Sequence, residues 1–165
     1  METKVEQILQ IVSKNPGISY SEILRETGFA HGVLSHHLSK IEKSGKIQIQ
    51  RTPRVARVYL SGIQEQEAQI IKKLRNATMK KIIISLLDRE LSFKEITEKA
   101  GKSQGTVSAY LKDLTEQNII HRKLHNTELI FELVDAVYVR DVISKHQVSL
   151  FERSADNIAD IFSSI

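Results

Sequence analysis

The chain has 165 residues, of which 41 % are hydrophobic and 5 % aromatic, and it contains no cysteine and no tryptophan. The lack of cysteine excludes disulfides and thiolate metal sites, and no apolar run approaches the roughly 20 residues of a membrane span, so we expect a soluble cytoplasmic protein. The net charge of +4 lies in residues 1–62, where 9 lysines and arginines face 5 acids, whereas residues 63–135 hold 12 against 11. This bias favours a polyanionic partner.

The first predicted helix covers about Lys4–Lys14, where apolar residues recur on one face. Ser19 and Glu22 then have the spacing of a capping box, in which each side chain satisfies a free amide at a helix start. A second helix is therefore predicted over Tyr20–Thr27. Gly28 ends it, since glycine reaches the left-handed conformation without steric penalty.

A third helix is predicted from His31, because Leu34, Leu38 and Ile41 recur at the spacing of one helix face and Gly45 follows them. Two short helices joined by a glycine turn form a helix-turn-helix.

A β-hairpin follows, with Ile47 and Ile49 in alternation, a break at Pro53 and a return that ends at Leu60. Its arginines are predicted at the base and toward the tip of the hairpin. They are Arg51, Arg54 and Arg57.

Helix, turn, helix and basic hairpin together resemble the winged helix-turn-helix of the MarR and ArsR type regulators. The string GVLSHHLSKIEKSGKI, residues 32–47, stands where those families carry the recognition helix and its exit. The resemblance implies that this helix contacts DNA.

From Thr78 the pattern recurs at an offset of 73 positions, the distance from Gly28 to Gly101. The later residues that are identical to their counterparts are Ser92, Glu95, Ile96, Gly101, Gly105, Ser108, Leu111, Ile120 and Leu133. Self-similarity of this kind predicts two winged helices in tandem. We expect a mainly α fold with small β-hairpin wings (α+β), divided into a first domain (1–62), a linker helix (63–77), a second domain (78–135) and a C-terminal helical segment (136–165).

The C-terminal segment is predicted to form a helix over Ala136–Lys145 and then a second helix with heptad spacing. The residues of that seam are Val148, Phe151, Ala155, Ile158, Phe162 and Ile165. The seam either packs on the winged helices of its own chain or pairs with a second chain. We favour a homodimer, because helix pairing is how small DNA-binding domains reach symmetric sites.

Tandem winged helices followed by a helical segment resemble a group of archaeal transcriptional regulators with two helix-turn-helix domains per chain. The sharpest pieces are GVLSHHLSKIEKSGKI and RNATMKKIIISLLD. The resemblance implies a sequence-specific regulator that binds double-stranded DNA, with no cofactor.

The candidate DNA contacts are the side chains opposite the apolar stripe of each recognition helix, together with the arginines of the first hairpin. In the first domain they are His31, Gly32, Ser35, His36, Ser39, Lys40, Arg51, Arg54 and Arg57. In the second they are Gln104, Thr106, Ser108 and Lys112. The first domain is given the main role, because its hairpin carries three arginines with no acid between Lys43 and Gln64, whereas the second hairpin is short and returns through Glu128 and Glu132.

Other functions have less support. His36 and His37 are adjacent and diverge by about 100° on a helix, so we expect no metal site. No glycine-rich phosphate loop or nucleophile elbow is present, so we expect no enzyme. The alternative is a protein-interaction scaffold, as in the segregation and condensation protein with tandem winged helices, and the near-neutral second domain supports it.

Overall fold

The computed structural model of the protein describes residues 1–146, which divide into two compact units. The first unit is Met1–Ala68 and the second begins at Gln69. The division falls inside α4 (Glu65–Leu74), the helix predicted as a linker. The predicted dimer seam lies outside the described residues, and it consists of Val148, Phe151, Ala155, Ile158, Phe162 and Ile165.

The first unit contains three helices and a three-stranded antiparallel sheet in the order β1-β3-β2. The elements are α1 (Lys4–Lys14), β1 (Ile18–Ser19), α2 (Tyr20–Thr27), α3 (His31–Lys43), β2 (Ile47–Arg51) and β3 (Ala56–Leu60). The hairpin β2–β3 pairs Ile47 with Leu60 and Arg51 with Ala56, and we call it the first hairpin.

The second unit has the same order of elements, 73 positions later, and one further helix. It contains α5 (Ala77–Ser85), β4 (Leu91–Ser92), α6 (Phe93–Ala100), α7 (Gln104–Glu116), β5 (Ile120–His125), β6 (Glu128–Leu133) and α8 (Ala136–Lys145). Its sheet has the order β4-β6-β5, and β5–β6 is called the second hairpin. The similarity of the two units follows from the shared local signals.

Capping explains the ends of the helices. Ser19 caps α2 by accepting from the amide of Glu22, while the Glu22 carboxylate accepts from the amide of Ser19 at 2.8 Å. The same reciprocal pair begins α6 at Ser92. Gly28 ends α2 with a φ of 68°, a conformation that glycine reaches without strain. These predicted helix limits are confirmed.

The core of the first unit lies between the helices and the inner face of the sheet. Its residues are at most 4 % exposed, and they are Ile8, Val12, Ile18, Ile23, Leu34, Leu38, Ile41, Ile47 and Val58. Burying each side chain contributes roughly 1.5–3 kcal/mol. Burial of Leu34, Leu38 and Ile41 therefore sets which side of α3 faces outward.

The second hairpin is joined by a two-residue turn in which both central residues have positive φ. Asn126 has a φ of 50° and Thr127 a φ of 67°. This combination defines the type I′ turn, whose twist matches that of the two strands. Among residues 1–146, no helix is long and apolar enough to cross a membrane.

Candidate nucleic-acid interface

The outer side of α3 carries a continuous set of exposed polar residues, which we call the recognition face. They are His31, Gly32, Ser35, His36, Ser39 and Lys40. Leu34, Leu38 and Ile41 are buried on the opposite side of the same helix. The structure therefore brings together the six residues predicted for this helix.

Tyr20 at the start of α2 holds part of the recognition face. Its hydroxyl donates to the carbonyl oxygen of His31 at 3.0 Å and lies 2.9 Å from the Ser35 hydroxyl. The same hydroxyl lies 3.1 Å from His31 Nδ1, and the two rings are 5.3 Å apart. The contacts fix His31 and Ser35 before any ligand arrives. Sequence reasoning missed this role, because nothing local distinguishes Tyr20 from an ordinary first helical residue.

The N-terminus of α3 is open to an anion. Its N-cap residue Ala30 makes no side-chain hydrogen bond to the first turn, whereas Ser103 caps α7 through the amide of Thr106. A Cβ built on Gly32 would meet no atom within 4 Å, so packing inside the protein does not require glycine here. Uncapped amides and a missing side chain allow a phosphate to approach the backbone closely.

Arg54 lies in the turn of the first hairpin and is exposed. The turn is closed by the Thr52 amide, which donates to the carbonyl of Val55 at 2.9 Å. Within residues 1–146 Arg54 has no ion pair. Its guanidinium is therefore available to an external anion.

Arg51 is engaged with the C-terminal end of α3. Its two terminal nitrogens donate to the two carboxylate oxygens of Glu42 at 2.9 and 2.8 Å. The bidentate bond to Arg51 lowers the pKa of Glu42 and raises the pKa of Arg51. Glu42 stands one residue before the acid-free stretch between Lys43 and Gln64, so the sequence alone did not indicate this partner.

Arg57 is not near the tip of the hairpin, and the prediction of its position is wrong. It lies within β3, the central strand, opposite Gln50 on one side and Ser19 on the other. Its Nη1 donates to the carbonyl oxygen of Gly17 at 3.0 Å, and its Nε is buried without a hydrogen-bond partner. The side chain is half-buried. Of the three predicted arginines, only Arg54 lies in the hairpin turn and forms no ion pair within residues 1–146.

The corresponding helix of the second unit, α7, carries fewer exposed polar side chains without a bonding partner in residues 1–146 than α3 does. Gln104, Ser108 and Lys112 are exposed, whereas Thr106 is half-buried and its hydroxyl oxygen accepts from the Ser103 hydroxyl at 3.0 Å. Lys112 lies 4.0 Å from the carboxylate of Glu116 on the next turn. The four predicted residues thus share one helix, but not one uninterrupted polar face.

A buried lysine also holds α7 in place. Lys73 of α4 has a side chain only 10 % exposed, and its Nζ lies 2.6 Å from an oxygen of Asp113. This pair explains why Asp113, which the sequence places beside the candidate DNA contacts, does not act as a free negative charge there.

Two basic side chains of the second hairpin, Lys123 and His121, lie against carboxylates. Lys123 lies 2.5 Å from Glu90 and 3.5 Å from Glu132, and His121 lies 2.6 Å from Glu132. The bond to Glu90 raises the pKa of Lys123, and the bond to His121 lowers the pKa of Glu132. Cations that are paired in this way are less available to phosphates than Arg54 is.

Histidines do not assemble a metal site in the described part of the chain. The rings of His36 and His37 meet edge to face with centroids 5.5 Å apart. No group of three or more His, Cys, Asp or Glu side chains that could hold a metal ion occurs in residues 1–146.

Two segments of the chain match known families of DNA-binding domains, and each match lies wholly in one unit. Residues 1–48 match the winged helix-turn-helix DNA-binding model, and residues 76–122 match the model of the bacterial regulatory protein, arsR family. No curated protein matches the chain. With the observed elements, these matches define winged helix-turn-helix domains in a mixed α+β fold.

Solved structures show similarity to about half of the chain. The transcriptional repressor BigR from Xylella fastidiosa is 22 % identical, over 49 % of this chain and 83 % of that one, with a TM-score of 0.44. HlyU from Vibrio cholerae is 24 % identical, over 53 % and 89 %, with a TM-score of 0.41. The homodimeric winged helix-turn-helix DNA-binding domain Mb0332 from Mycobacterium bovis is 22 % identical, over 58 % and 83 %, with a TM-score of 0.41.

Proposed function

We propose that the protein is a sequence-specific transcriptional regulator that binds double-stranded DNA through winged helix-turn-helix domains arranged in tandem. The observation that carries this proposal is the recognition face, a row of polar side chains on one side of a helix whose other side is buried. A helix of this kind fits the major groove of B-DNA, where each base pair presents a distinct pattern of donors and acceptors.

Different parts of the first unit would make different contacts. The N-terminal half of α3 would enter the major groove, so that His31, Ser35 and His36 meet base edges. Lys40 and the free amides at the start of α3 would meet phosphates. Arg54 in the hairpin turn would reach the backbone or a narrow minor groove next to it.

The first unit would contribute more to DNA affinity than the second. The basic excess lies in residues 1–62. Lys123 of the second hairpin is tied to Glu90 and Glu132, whereas Arg54 has no such bond within the described residues. Electrostatic attraction to phosphates supplies most of the non-specific affinity for DNA, so the unit with the larger basic excess would dominate.

An unbiased selection on fragments of genomic DNA, carried out at two salt concentrations, tests the class of function. Enrichment of one sequence motif at both concentrations is the expected result. Enrichment that follows no motif at either concentration would refute sequence-specific binding.

Charge reversal separates the two units. Lys40→Glu with Arg54→Glu should weaken binding to the selected site much more than Lys112→Glu with Lys123→Glu. The second pair of changes is the matched control, because it removes the same charge from the other recognition helix and hairpin. Equal losses would show that both units contribute alike.

We also propose that the regulator acts as a homodimer, which supplies two half-sites on symmetric DNA. The heptad pattern from Val148 to Ile165 supports it. Sedimentation of the intact protein should show a dimer at micromolar concentration, and Phe151→Asp with Ile158→Asp should show a monomer. A monomeric intact protein at that concentration would refute the dimer.

A protein-interaction scaffold is the second candidate. The second unit exposes large apolar side chains, with Leu124 70 % and Val137 80 % accessible to solvent. A scaffold would give no enriched motif in the DNA selection, and the charge reversals on the first unit would leave its function unchanged.

A further inference from the structure

A groove of about 580 Å³ runs between α7 and the second hairpin. Its apolar lining consists of Phe93 from α6, Leu111 from α7, and Leu129 and Phe131 from β6. We call it the α7 groove. The corresponding groove of the first unit, between α3 and the first hairpin, is only about 220 Å³.

An ion pair beside the first groove distinguishes it from the α7 groove. Arg51 lines the first groove, and its guanidinium is bound to Glu42, so the pair joins the first hairpin to α3. At the positions 73 residues later the chain has Leu124 and Thr115, which cannot form such a bond. The α7 groove therefore lacks this bridge.

A second substitution leaves a hydrogen-bonding group free. Tyr20 binds Ser35 in the first unit, but Phe93 at the equivalent position has no hydroxyl to offer Ser108. In the described part of the chain, the Ser108 hydroxyl has no hydrogen-bond partner, and it lines the α7 groove.

The charged groups at the groove favour an acidic ligand. Arg122 lines it and forms no ion pair with any residue of 1–146. Lys112 lines it too and lies 4.0 Å from Glu116, a distance that leaves the ammonium exposed on most sides. Two cations against one carboxylate produce a net positive rim around an apolar floor.

The apolar surface also extends past the groove, which indicates the size of the ligand. Leu124 is paired directly with Leu129 across the hairpin, so both side chains lie on the same face of the sheet. Leu129 is 43 % exposed and Leu124 70 % exposed. A compact molecule seated in the groove would leave Leu124 in water, whereas an extended chain would cover both leucines.

We propose that the α7 groove binds an acidic peptide segment of a partner protein, with one large apolar side chain in the groove. That side chain packs between Phe93 and Phe131. The flanking carboxylates bind Arg122 and Lys112, and a backbone or side-chain group of the peptide bonds the Ser108 hydroxyl. The protein would then recruit a partner through the second unit.

Selection of short random peptides displayed on phage, with the intact protein as bait and no DNA present, tests this site. The counter-selection uses Thr115→Glu with Leu124→Arg, which places the ion pair of the first unit at the α7 groove. Expected is the enrichment of peptides that carry a large apolar residue beside aspartate or glutamate. No enrichment, or enrichment of peptides without acids, would overturn the proposal.

Titration of the best selected peptide then locates it. Arg122→Gln should weaken binding by about tenfold or more, the loss expected for one hydrogen bond to a charged group. Lys102→Gln, an exposed lysine that does not line the groove, is the matched control and should bind like the parent. Circular dichroism verifies that each variant is folded. The proposal would be overturned if Arg122→Gln, or the double variant Thr115→Glu with Leu124→Arg, bound the peptide as tightly as the parent does. It would also be overturned if a small aromatic acid, tested as free 1-naphthoate, bound more tightly than the peptide.

Discussion

Removal of the Arg54 side chain should change how the affinity for DNA depends on salt. The side chain is exposed in the hairpin turn and, within residues 1–146, forms no ion pair, so its charge is free to displace counterions from DNA. Arg51, three residues earlier, is bound to Glu42 through two hydrogen bonds. Two arginines of one hairpin should therefore contribute very differently.

The size of the effect follows from counterion release. One phosphate contact contributes about 0.9 to the slope of log K against log salt, so at about 0.1 M salt it is worth about eightfold in affinity. When salt rises from about 50 to about 200 mM, the affinity of the parent should fall by a factor about 3.5 times larger than that of Arg54→Ala, because the variant lacks this one contact. Specific and random DNA should be affected alike, because phosphates carry no sequence information directly.

The matched control is Glu42→Ala with Arg51→Ala, which removes an ion pair and leaves the net charge unchanged. Its side chains are 31 % and 61 % exposed, and an exposed pair of this kind contributes only about 0.2–1 kcal/mol to stability. The control should keep the parent's salt slope.

Fluorescence anisotropy of labelled DNA at four or more salt concentrations measures the slopes of all three proteins. A slope of Arg54→Ala equal to that of the parent would refute the assignment of Arg54 to a phosphate. A reduced slope of the double variant would show that Arg51 leaves Glu42 to bind DNA.

Gly32→Ala and Gly105→Ala should each raise the free energy of unfolding by roughly 0.5–1 kcal/mol, since neither added methyl group meets an atom within 4 Å. Only the change at Gly32 should weaken DNA binding, and equal weakening in DNA titrations would contradict close approach there. Ser35→Ala with His36→Ala should lower the ratio of specific to random affinity at an unchanged salt slope; an unchanged ratio would exclude base readout by this face. The bond to Arg51 lowers the pKa of Glu42 in the folded protein, so the ionised carboxylate stabilises the fold at pH values above its ordinary pKa of about 4.3. This stabilisation is lost as the pH falls through the lowered pKa. Between about pH 6 and pH 3, Glu42→Gln should therefore lose less free energy of unfolding than the parent. Denaturant titration at both pH values measures this, and equal losses would show that the bond contributes nothing.

The limits of most helices could be predicted because the signals that set them are local. The predicted spans Lys4–Lys14, Tyr20–Thr27 and Ala136–Lys145 are the observed ones. A capping side chain bonds an amide three residues away, and a glycine takes up positive φ at its own position. The outward side of α3 was predictable for a similar reason, since apolar residues at helical spacing define the buried side.

The state of each charged side chain could not be predicted in the same way. Arg57 bonds the carbonyl of Gly17, 40 positions earlier, and Lys73 bonds Asp113, 40 positions later. Tyr20 reaches Ser35 across the turn between two helices. A count of charges along the sequence does not reveal these bonds, because each joins residues that only folding brings close together.

The sequence by itself determined the winged helix elements of both units, the inward and outward sides of their helices, and the residues of the recognition face. These depend on contacts within a few positions of the chain and on the burial of apolar stripes. The tertiary structure alone decided that Arg54 is the arginine of the first hairpin left for an external anion. It also decided that an ion pair joins α3 to the first hairpin beside one groove, while within residues 1–146 no such pair joins α7 to the second hairpin beside the other. Both outcomes depend on distances between side chains of different elements, which spacing along the chain does not encode.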